Sequence, residues 1–149
     1  MRRRMTILAF ASFVLLSACS SKPYSIEKAS ERGDVVDEHG EVKNAERLDT
    51  FYRNTLAKKK DKVRVTQLTT EGDPIFNDLE FNGKEIKYKY DNSEDKFGKP
   101  NIRKTTCKAL VRSQAGAAMQ YKLEGCYGAN KEYGNRFMIA VDQETEVTS

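Results

Sequence analysis

Histidine is nearly absent from this 149-residue sequence, which contains one histidine and three cysteines. A single histidine with no cysteine or histidine near it does not form a zinc site, so we interpret His39 as a turn residue. The sequence also lacks the GxSxG, HExxH, Walker and dinucleotide-binding glycine motifs. Hydrophobic residues make up only 38% of the chain, but seven Tyr and seven Phe suffice for one small core. These features disfavour the common enzyme classes and predict one domain.

No hydrophobic run is long enough to cross a bilayer. Arg2–Arg4 precede the apolar run Met5–Leu16, which as a helix would rise about 18 Å, against a hydrocarbon core of about 30 Å. A basic start followed by a short apolar run predicts a secretory signal peptide over residues 1–18. The run ends in Leu-Ser-Ala-Cys19, which resembles the lipobox of bacterial lipoproteins. That resemblance implies cleavage before Cys19 and a lipid on its thiol. The alternative is a plain signal peptide with a chance cysteine.

The net charge of +4 belongs mostly to the predicted signal peptide. Removing residues 1–18 removes three arginines and leaves 23 basic and 22 acidic residues. A near-neutral mature chain gives no support to nucleic-acid binding. We therefore expect the cell membrane as the location, with the protein anchored through the lipid on Cys19 at the extracytoplasmic face.

Cys107 and Cys126 remain once Cys19 is assigned to the lipid. Outside the cytoplasm disulfides persist, so we expect these two cysteines to be bridged. The closed loop would stabilise the fold by about 3 kcal/mol in the chain-entropy model. Two free buried thiols are the alternative.

The segments before residue 60 predict a tether and a helix. Residues 19–34 are polar and are interpreted as the lipidated cysteine and a flexible tether, which could reach about 50 Å when extended. Residues 35–43 suit a short hairpin or an extended arm. Asn44 is suited to be the N-cap of an amphipathic helix over 45–58. The lysines at its end, Lys58–Lys60, are interpreted as a solvated helix end or as a lipid-headgroup patch.

The clearest structural pattern is a hairpin around Asn82-Gly83, a dipeptide preferred in type I′ turns. A two-residue turn pairs Phe81 with Lys84, so that Leu79 faces Ile86. The apolar side chains then alternate onto one face of the hairpin and the polar ones onto the other.

The remaining strands follow from alternation. Residues 63–70 form a β-branched strand, 91–105 a long polar loop, and 106–112 with 120–126 a second hairpin. An apolar strand at 137–141 is expected in a central or covered position, and 142–149 is a polar tail. The second hairpin carries two conflicting indications of register. Ala109, Val111, Tyr121 and Leu123 can share one face only if paired residue numbers have an even sum. A direct Cys107–Cys126 pair needs an odd sum. A bulge, most simply at Gly125, would reconcile them.

The predicted fold class is therefore α+β. One amphipathic helix packs on an antiparallel sheet of about five strands, giving two layers within a single domain over residues 35–141.

Three stretches together resemble a known family. They are residues 69–75, residues 90–98, and the paired cysteine segments 107–108 and 123–126. In this order they are similar to small lipoproteins of bacilli that carry the domain of unknown function 4362. The resemblance spans about residues 34–141 and the preceding lipobox. It implies a lipid-anchored extracytoplasmic protein and transfers no catalytic residues.

Five carboxylates are expected near the open end of the first hairpin: Glu71, Asp73, Asp91, Glu94 and Asp95. Such a cluster could bind calcium, serve a carboxylate-based hydrolase or receive a basic partner; the alternative is that these are solvated turn residues. Three tyrosines could likewise form a ligand patch or belong to the core: Tyr121, Tyr127 and Tyr133.

The expected function is binding rather than catalysis. We predict no resident cofactor or metal, and an unknown protein or cell-envelope component as partner. A hydrolase that uses the acidic cluster is the alternative.

Overall fold

The computed structural model describes residues 24–142. The predicted signal peptide 1–18, the lipidation site Cys19 and residues 143–149 of the predicted tail lie outside the described residues. Within residues 24–142, no helix is long and apolar enough to cross a membrane.

The described part of the chain forms three helices and nine strands. In chain order they are α1 (Ile26–Glu31), β1 (Val35–Glu38), β2 (Glu41–Lys43), α2 (Ala45–Leu56), β3 (Asp61–Leu68), β4 (Pro74–Phe81), β5 (Ile86–Asp91), β6 (Ile102–Cys107), β7 (Ala109–Ala115), β8 (Ala118–Glu124), α3 (Lys131–Arg136) and β9 (Met138–Asp142).

The strands form two sheets, so the α+β class is confirmed while the predicted sheet is wrong in size. The larger sheet has six strands in the order β2-β1-β3-β4-β5-β6, and the smaller has three in the order β7-β8-β9. The prediction of one antiparallel sheet of about five strands also fails in direction, because β1 runs parallel to β3. The chain reaches that parallel position by crossing over through β2 and α2, a route that strand alternation does not encode.

Helix α2 buries the apolar face that its spacing predicts, with Leu48 and Phe51 fully buried. Its start differs from the prediction. Asn44 has a left-handed backbone (φ 59°) and makes no side-chain cap; its side-chain amide instead donates to the carbonyl of Asp34 at 3.1 Å. The helix ends at Leu56, before the predicted residue 58, and Lys58 takes the left-handed position that follows a helix end (φ 54°).

A bidentate ion pair connects α2 to β3. The Arg47 guanidinium donates to both carboxylate oxygens of Asp61, at 3.1 and 2.7 Å, and Asn54 donates to the same carboxylate at 2.8 Å. Burial acts to raise the pKa of Asp61, but the hydrogen bonds from Arg47 and Asn54 outweigh it, so the pKa lies below its ordinary value.

The β4–β5 hairpin is confirmed, but its pairing differs from the prediction. Phe81 pairs with Ile86 rather than with Lys84, so residues 82–85 make the connection. A type I′ turn needs positive φ at both central residues, and Asn82 does not have it. The Asn82 side-chain oxygen instead accepts hydrogen bonds from the backbone N–H groups of Lys84 and Glu85, each at 2.9 Å.

The observed pairing of the two strands is shifted by two residues from the predicted pairing. Every side chain nevertheless stays on its predicted face, because side chains in a strand alternate between faces with a period of two. Leu79 now lies opposite Tyr88, and Asn77 lies opposite Tyr90. The partners across the strands are therefore new, while the division into an inner and an outer face is unchanged.

The second hairpin has a tighter turn than predicted, with Ala115 paired to Ala118. Leu110 pairs with Leu123, and both are buried. The predicted shared face for Ala109 and Val111 with Leu123 is therefore wrong. The register of this hairpin is the one that places Cys107 level with Cys126, so no bulge is needed.

Two further expectations need correction at the sheet edges. The predicted loop 91–105 is strand from Ile102 onward, because β6 pairs with β5 along its whole length. The predicted central strand 137–141 is β9, an edge strand in which Ile139 is buried and Met138 is 45% exposed. Strand β9 extends to Asp142, the first residue of the predicted tail.

The predicted tether is also shorter than residues 19–34. Residues 26–31 form α1, whose Ala29 is fully buried and which packs against β1. Ahead of it, the Tyr24 ring lies 5.9 Å from the Phe76 ring, and the Tyr24 hydroxyl donates to Thr66 at 3.2 Å. The chain is thus fastened to the outer face of the larger sheet from residue 24 onward.

One buried cluster joins the two sheets and α2. It combines Phe51 of α2, Leu79 and Ile86 of the larger sheet, and Leu123 and Ile139 of the smaller sheet. The inner face of the larger sheet is therefore covered by α2 and the smaller sheet together.

Candidate functional site

The predicted acidic residues lie at one end of the larger sheet, but they do not converge on one point. Asp73 is only 6% exposed, and it accepts the backbone N–H of Lys96 at 3.0 Å and pairs with the Lys96 ammonium at 3.2 Å. The Lys96 backbone hydrogen bond, aided by the ammonium, holds the pKa of Asp73 below its ordinary value. Glu71 and Glu94 are exposed.

The other two acidic residues serve local turns. Asp91 accepts from the Ser93 backbone and hydroxyl at 3.0 and 2.6 Å and pairs with Lys89 at 3.0 Å. Burial acts to raise the pKa of Asp91, but these partners outweigh it and the pKa is lowered. Asp95 accepts the backbone N–H groups of Phe97 and Gly98. Within residues 24–142, no group of three or more His, Cys, Asp or Glu side chains is placed to hold a metal ion.

The predicted disulfide between Cys107 and Cys126 is confirmed, and it forms part of the core. Gly134 of α3 packs directly on it. A Cβ atom at Gly134 would lie 2.6 Å from the Cys126 sulfur and 2.8 Å from the Cys107 sulfur. The bridge therefore fixes where α3 lies on β6.

The predicted tyrosine patch is dispersed over the molecule. Tyr121 lies 6.1 Å from Tyr52 of α2, between ring centres. Tyr127 is 45% exposed, and its hydroxyl donates to Glu85. Tyr133 packs at 5.1 Å against Tyr90, and this pair belongs to a different arrangement of polar side chains.

That arrangement is a cleft of about 430 Å³ where β3, β4, β5, the 92–101 loop and α3 meet. We name it the amide–tyrosine cleft. Four amides, three tyrosines, two cations and a phenylalanine line it: Gln67, Asn77, Asn92, Asn101, Tyr88, Tyr90, Tyr133, Lys99, Arg136 and Phe137. No carboxylate of residues 24–142 lines the cleft, so within the described chain the charges of Lys99 and Arg136 are not neutralised there and could attract an anionic group.

A hydrogen-bonded chain forms the floor of the cleft. The buried Tyr88 hydroxyl donates to the side-chain oxygen of Asn77 at 2.6 Å. The Asn77 amide donates to Gln67 at 3.2 Å and to the carbonyl of Val65 at 3.3 Å. Burial raises the pKa of Tyr88 strongly and raises that of Tyr90 as well, so both hydroxyls stay protonated at neutral pH. The floor is therefore neutral and fixed in orientation.

The wall of the cleft is formed by polar and aromatic side chains from the 92–101 loop and α3. Asn101 donates to the Tyr133 hydroxyl at 2.8 Å, and the Arg136 guanidinium lies 4.8 Å above the Tyr133 ring. Asn92 is 8% exposed, and its side-chain oxygen is buried with no hydrogen-bond partner in the described part of the chain. An unpartnered buried carbonyl oxygen costs about 1–3 kcal/mol, and because this oxygen is fully buried, a ligand could donate to it only after the surrounding side chains moved.

A second hollow of about 530 Å³ lies on the outer face of the larger sheet, beside Tyr127. Asp78 in its lining pairs with Arg64 at 2.6 Å and with Lys89 at 3.6 Å, whereas Glu80, Lys87 and Lys104 make no salt bridge among the described residues. This hollow thus mixes charges of both signs on an open sheet face, whereas the described lining of the amide–tyrosine cleft combines cations with neutral hydrogen-bonding groups. We therefore take the amide–tyrosine cleft as the candidate site.

Sequence reasoning missed this cleft although part of the pattern was visible. Asn77, Tyr88 and Tyr90 alternate onto the predicted inner face of the first hairpin, where a polar amide among apolar residues is unusual. Asn92, Asn101 and Arg136 join them only because β6 folds back on β5 and the disulfide places α3 above β6.

A family model described as a domain of unknown function (DUF4362) matches residues 32–122. No curated protein and no solved structure matched the chain.

Proposed function

The chain belongs to the DUF4362 family, and from that premise we propose that it is a lipid-anchored extracytoplasmic binding protein whose amide–tyrosine cleft holds a polar ligand. The observation that carries the proposal is the lining of the cleft, in which two cations lie among amides and tyrosines with no carboxylate from the described residues.

The chemistry of the lining defines the ligand class. Amides and tyrosine hydroxyls recognise hydroxyl and amide groups, and tyrosine rings pack against flat or sugar-like surfaces. Arg136 and Lys99 add two positive charges, and no carboxylate of the described residues lines the cleft beside them. We therefore propose a ligand that carries hydroxyl or amide groups together with an acidic group, such as a sugar acid of the cell envelope.

Binding rather than catalysis fits the state of these groups. Amides do not titrate, and the raised pKa values of Tyr88 and Tyr90 make their hydroxyls poor bases at neutral pH. The hydrolase alternative depends on the acidic cluster, yet Asp73, Asp91 and Asp95 already serve as acceptors for nearby backbone N–H groups.

A matched pair of sugars tests the cleft. We expect N-acetylmuramic acid to raise the melting temperature of the protein more than N-acetylglucosamine, because only the former carries a carboxylate for Arg136. Arg136→Met should abolish that difference, whereas Arg103→Met, a matched change at an exposed arginine outside the cleft, should leave it intact. Equal responses to the two sugars, or equal effects of the two variants, would rule out the acidic-ligand proposal.

The anchor is tested separately by labelling cells with a radioactive fatty acid. We expect the label on the wild-type protein and on a Cys126→Ala variant, and its loss in Cys19→Ala. Label that persists after Cys19→Ala would refute the anchor, since the lipid would then be attached elsewhere.

A further inference from the structure

One end of the larger sheet carries exposed apolar side chains among basic residues. Phe97 is 77% exposed and Ile102 is 49% exposed. We name residues 96–104, which contain both, the basic segment. It has four cations and no acidic residue: Lys96, Lys99, Arg103 and Lys104. All four are exposed.

Most of these positive charges have no carboxylate partner among residues 24–142. Lys96 pairs with Asp73. Within residues 24–142, Lys99, Arg103 and Lys104 make no salt bridge. The nearest exposed carboxylate in sequence is Glu94, which lies before the segment. The segment therefore carries three positive charges without a salt bridge and two exposed apolar side chains, and the alternation of β6 puts Ile102 and Lys104 on the face of the larger sheet where Tyr24 packs.

The chain enters the fold close to this segment. Tyr24 packs on Phe76, Phe76 pairs with Asp91, and Asp91 pairs with Ile102. Ile102 thus lies two strand spacings from Phe76, about 10 Å. Five residues from Cys19 to Tyr24 span at most about 17 Å, so a lipid on Cys19 must lie near this part of the domain.

We propose that the basic segment rests on the anionic membrane surface that holds the Cys19 lipid, with Phe97 and Ile102 at the interface. The inference rests on the proposed lipid anchor. Cations next to a bilayer are attracted by acidic headgroups, and apolar side chains at the same level enter the boundary between headgroups and acyl chains. The domain therefore lies on the membrane instead of standing away from it on a long tether.

The absence of tryptophan from the sequence makes a direct test available. Phe97→Trp places one fluorophore in the basic segment. Leu56→Trp is the matched control, since Leu56 is 65% exposed and lies beside Phe81 and Gly83 at the opposite end of the sheet. Each lipidated full-length variant is reconstituted into vesicles that contain phosphatidylglycerol and a phosphatidylcholine brominated on its acyl chains.

We expect blue-shifted, bromine-quenched emission from the tryptophan at position 97 and unquenched emission from the one at position 56. Adding Arg103→Glu and Lys104→Glu, or replacing phosphatidylglycerol by phosphatidylcholine, should abolish the quenching at 97. Equal quenching at both positions, or none at 97 in protein that floats with the vesicles, would overturn the inference. Quenching at 97 that survives the charge changes would overturn its electrostatic part. Protein that fails to float at all would refute the lipid anchor itself, and the inference with it.

Discussion

Gly134→Ala should destabilise the protein even though alanine is the better helix former. Gly134 lies within α3, where its φ is not in the left-handed region, so the backbone accepts alanine. The new Cβ would lie 2.6 Å and 2.8 Å from the two disulfide sulfurs and 3.0 Å from the Thr105 methyl carbon. These are contacts on several sides at once, with atoms held by a covalent bridge and a strand, so no single rotation relieves them.

The magnitude follows from two opposing effects. Alanine in place of glycine within a helix gains about 1 kcal/mol. Overpacking a rigid core site costs up to about 3 kcal/mol. We expect a net loss of about 2 kcal/mol in the free energy of unfolding, which for a domain of this size lowers the melting temperature by roughly 8 °C. Urea unfolding and thermal unfolding, each followed by circular dichroism, measure the two quantities.

The control removes the atoms that clash. In a Cys107→Ala, Cys126→Ala background, Gly134→Ala should be neutral or stabilising, which corresponds to a coupling energy of about 2 kcal/mol between the glycine and the bridge. If Gly134→Ala stabilised the protein with the bridge intact, or if its effect were the same in both backgrounds, the proposed packing of α3 on the disulfide would be wrong.

Three further predictions follow from single interactions. Replacing Cys107 and Cys126 by alanine, which opens a loop of sequence separation 19, should cost about 3 kcal/mol in urea unfolding; a loss below about 1 kcal/mol would contradict the chain-entropy reasoning. The lowered pKa of Asp61 means that its contribution to stability is present above the unfolded-state pKa of about 4 and is lost as the pH falls through the folded value. Asp61→Asn should therefore flatten the acid side of the stability profile, and an unchanged profile would show that the pair with Arg47 contributes nothing. Lys58→Gly should raise stability by about 0.5–1 kcal/mol, because glycine adopts the left-handed φ of 54° without strain; a lower melting temperature would contradict this.

The first hairpin shows how far strand alternation reaches. The spacing of Leu79, Phe81, Ile86 and Tyr88 correctly assigned both faces, because side-chain direction depends only on parity. The pairing was off by two residues, since the Asn82 side chain caps a longer turn in place of the expected type I′ geometry. The face on which a side chain lies can be read from its position in the alternating pattern. The length of the turn cannot be read in this way, because it depends on which hydrogen bonds form in the turn.

In the second hairpin, the strand register agrees with the disulfide and not with the predicted apolar face. Alternation suggested that Ala109 and Val111 face inward, while the disulfide required the opposite parity. The structure adopts the parity of the disulfide, and Leu110 supplies the buried contact. Burying one leucine opposite Leu123 removes more apolar area from water than burying an alanine, so the cysteines and the core agree after all.

The sequence alone determined the secondary-structure class, the faces of the first hairpin, the disulfide partners and the family, because composition, parity and motif order are properties of the chain itself. It also predicts the lipid anchor at Cys19. Only the tertiary structure decided the parallel pairing of β1 with β3, the attachment of Tyr24 to the larger sheet and the amide–tyrosine cleft. Each of these joins segments that are distant in sequence, and the free energy that selects such contacts comes from burying surfaces that no local pattern contains.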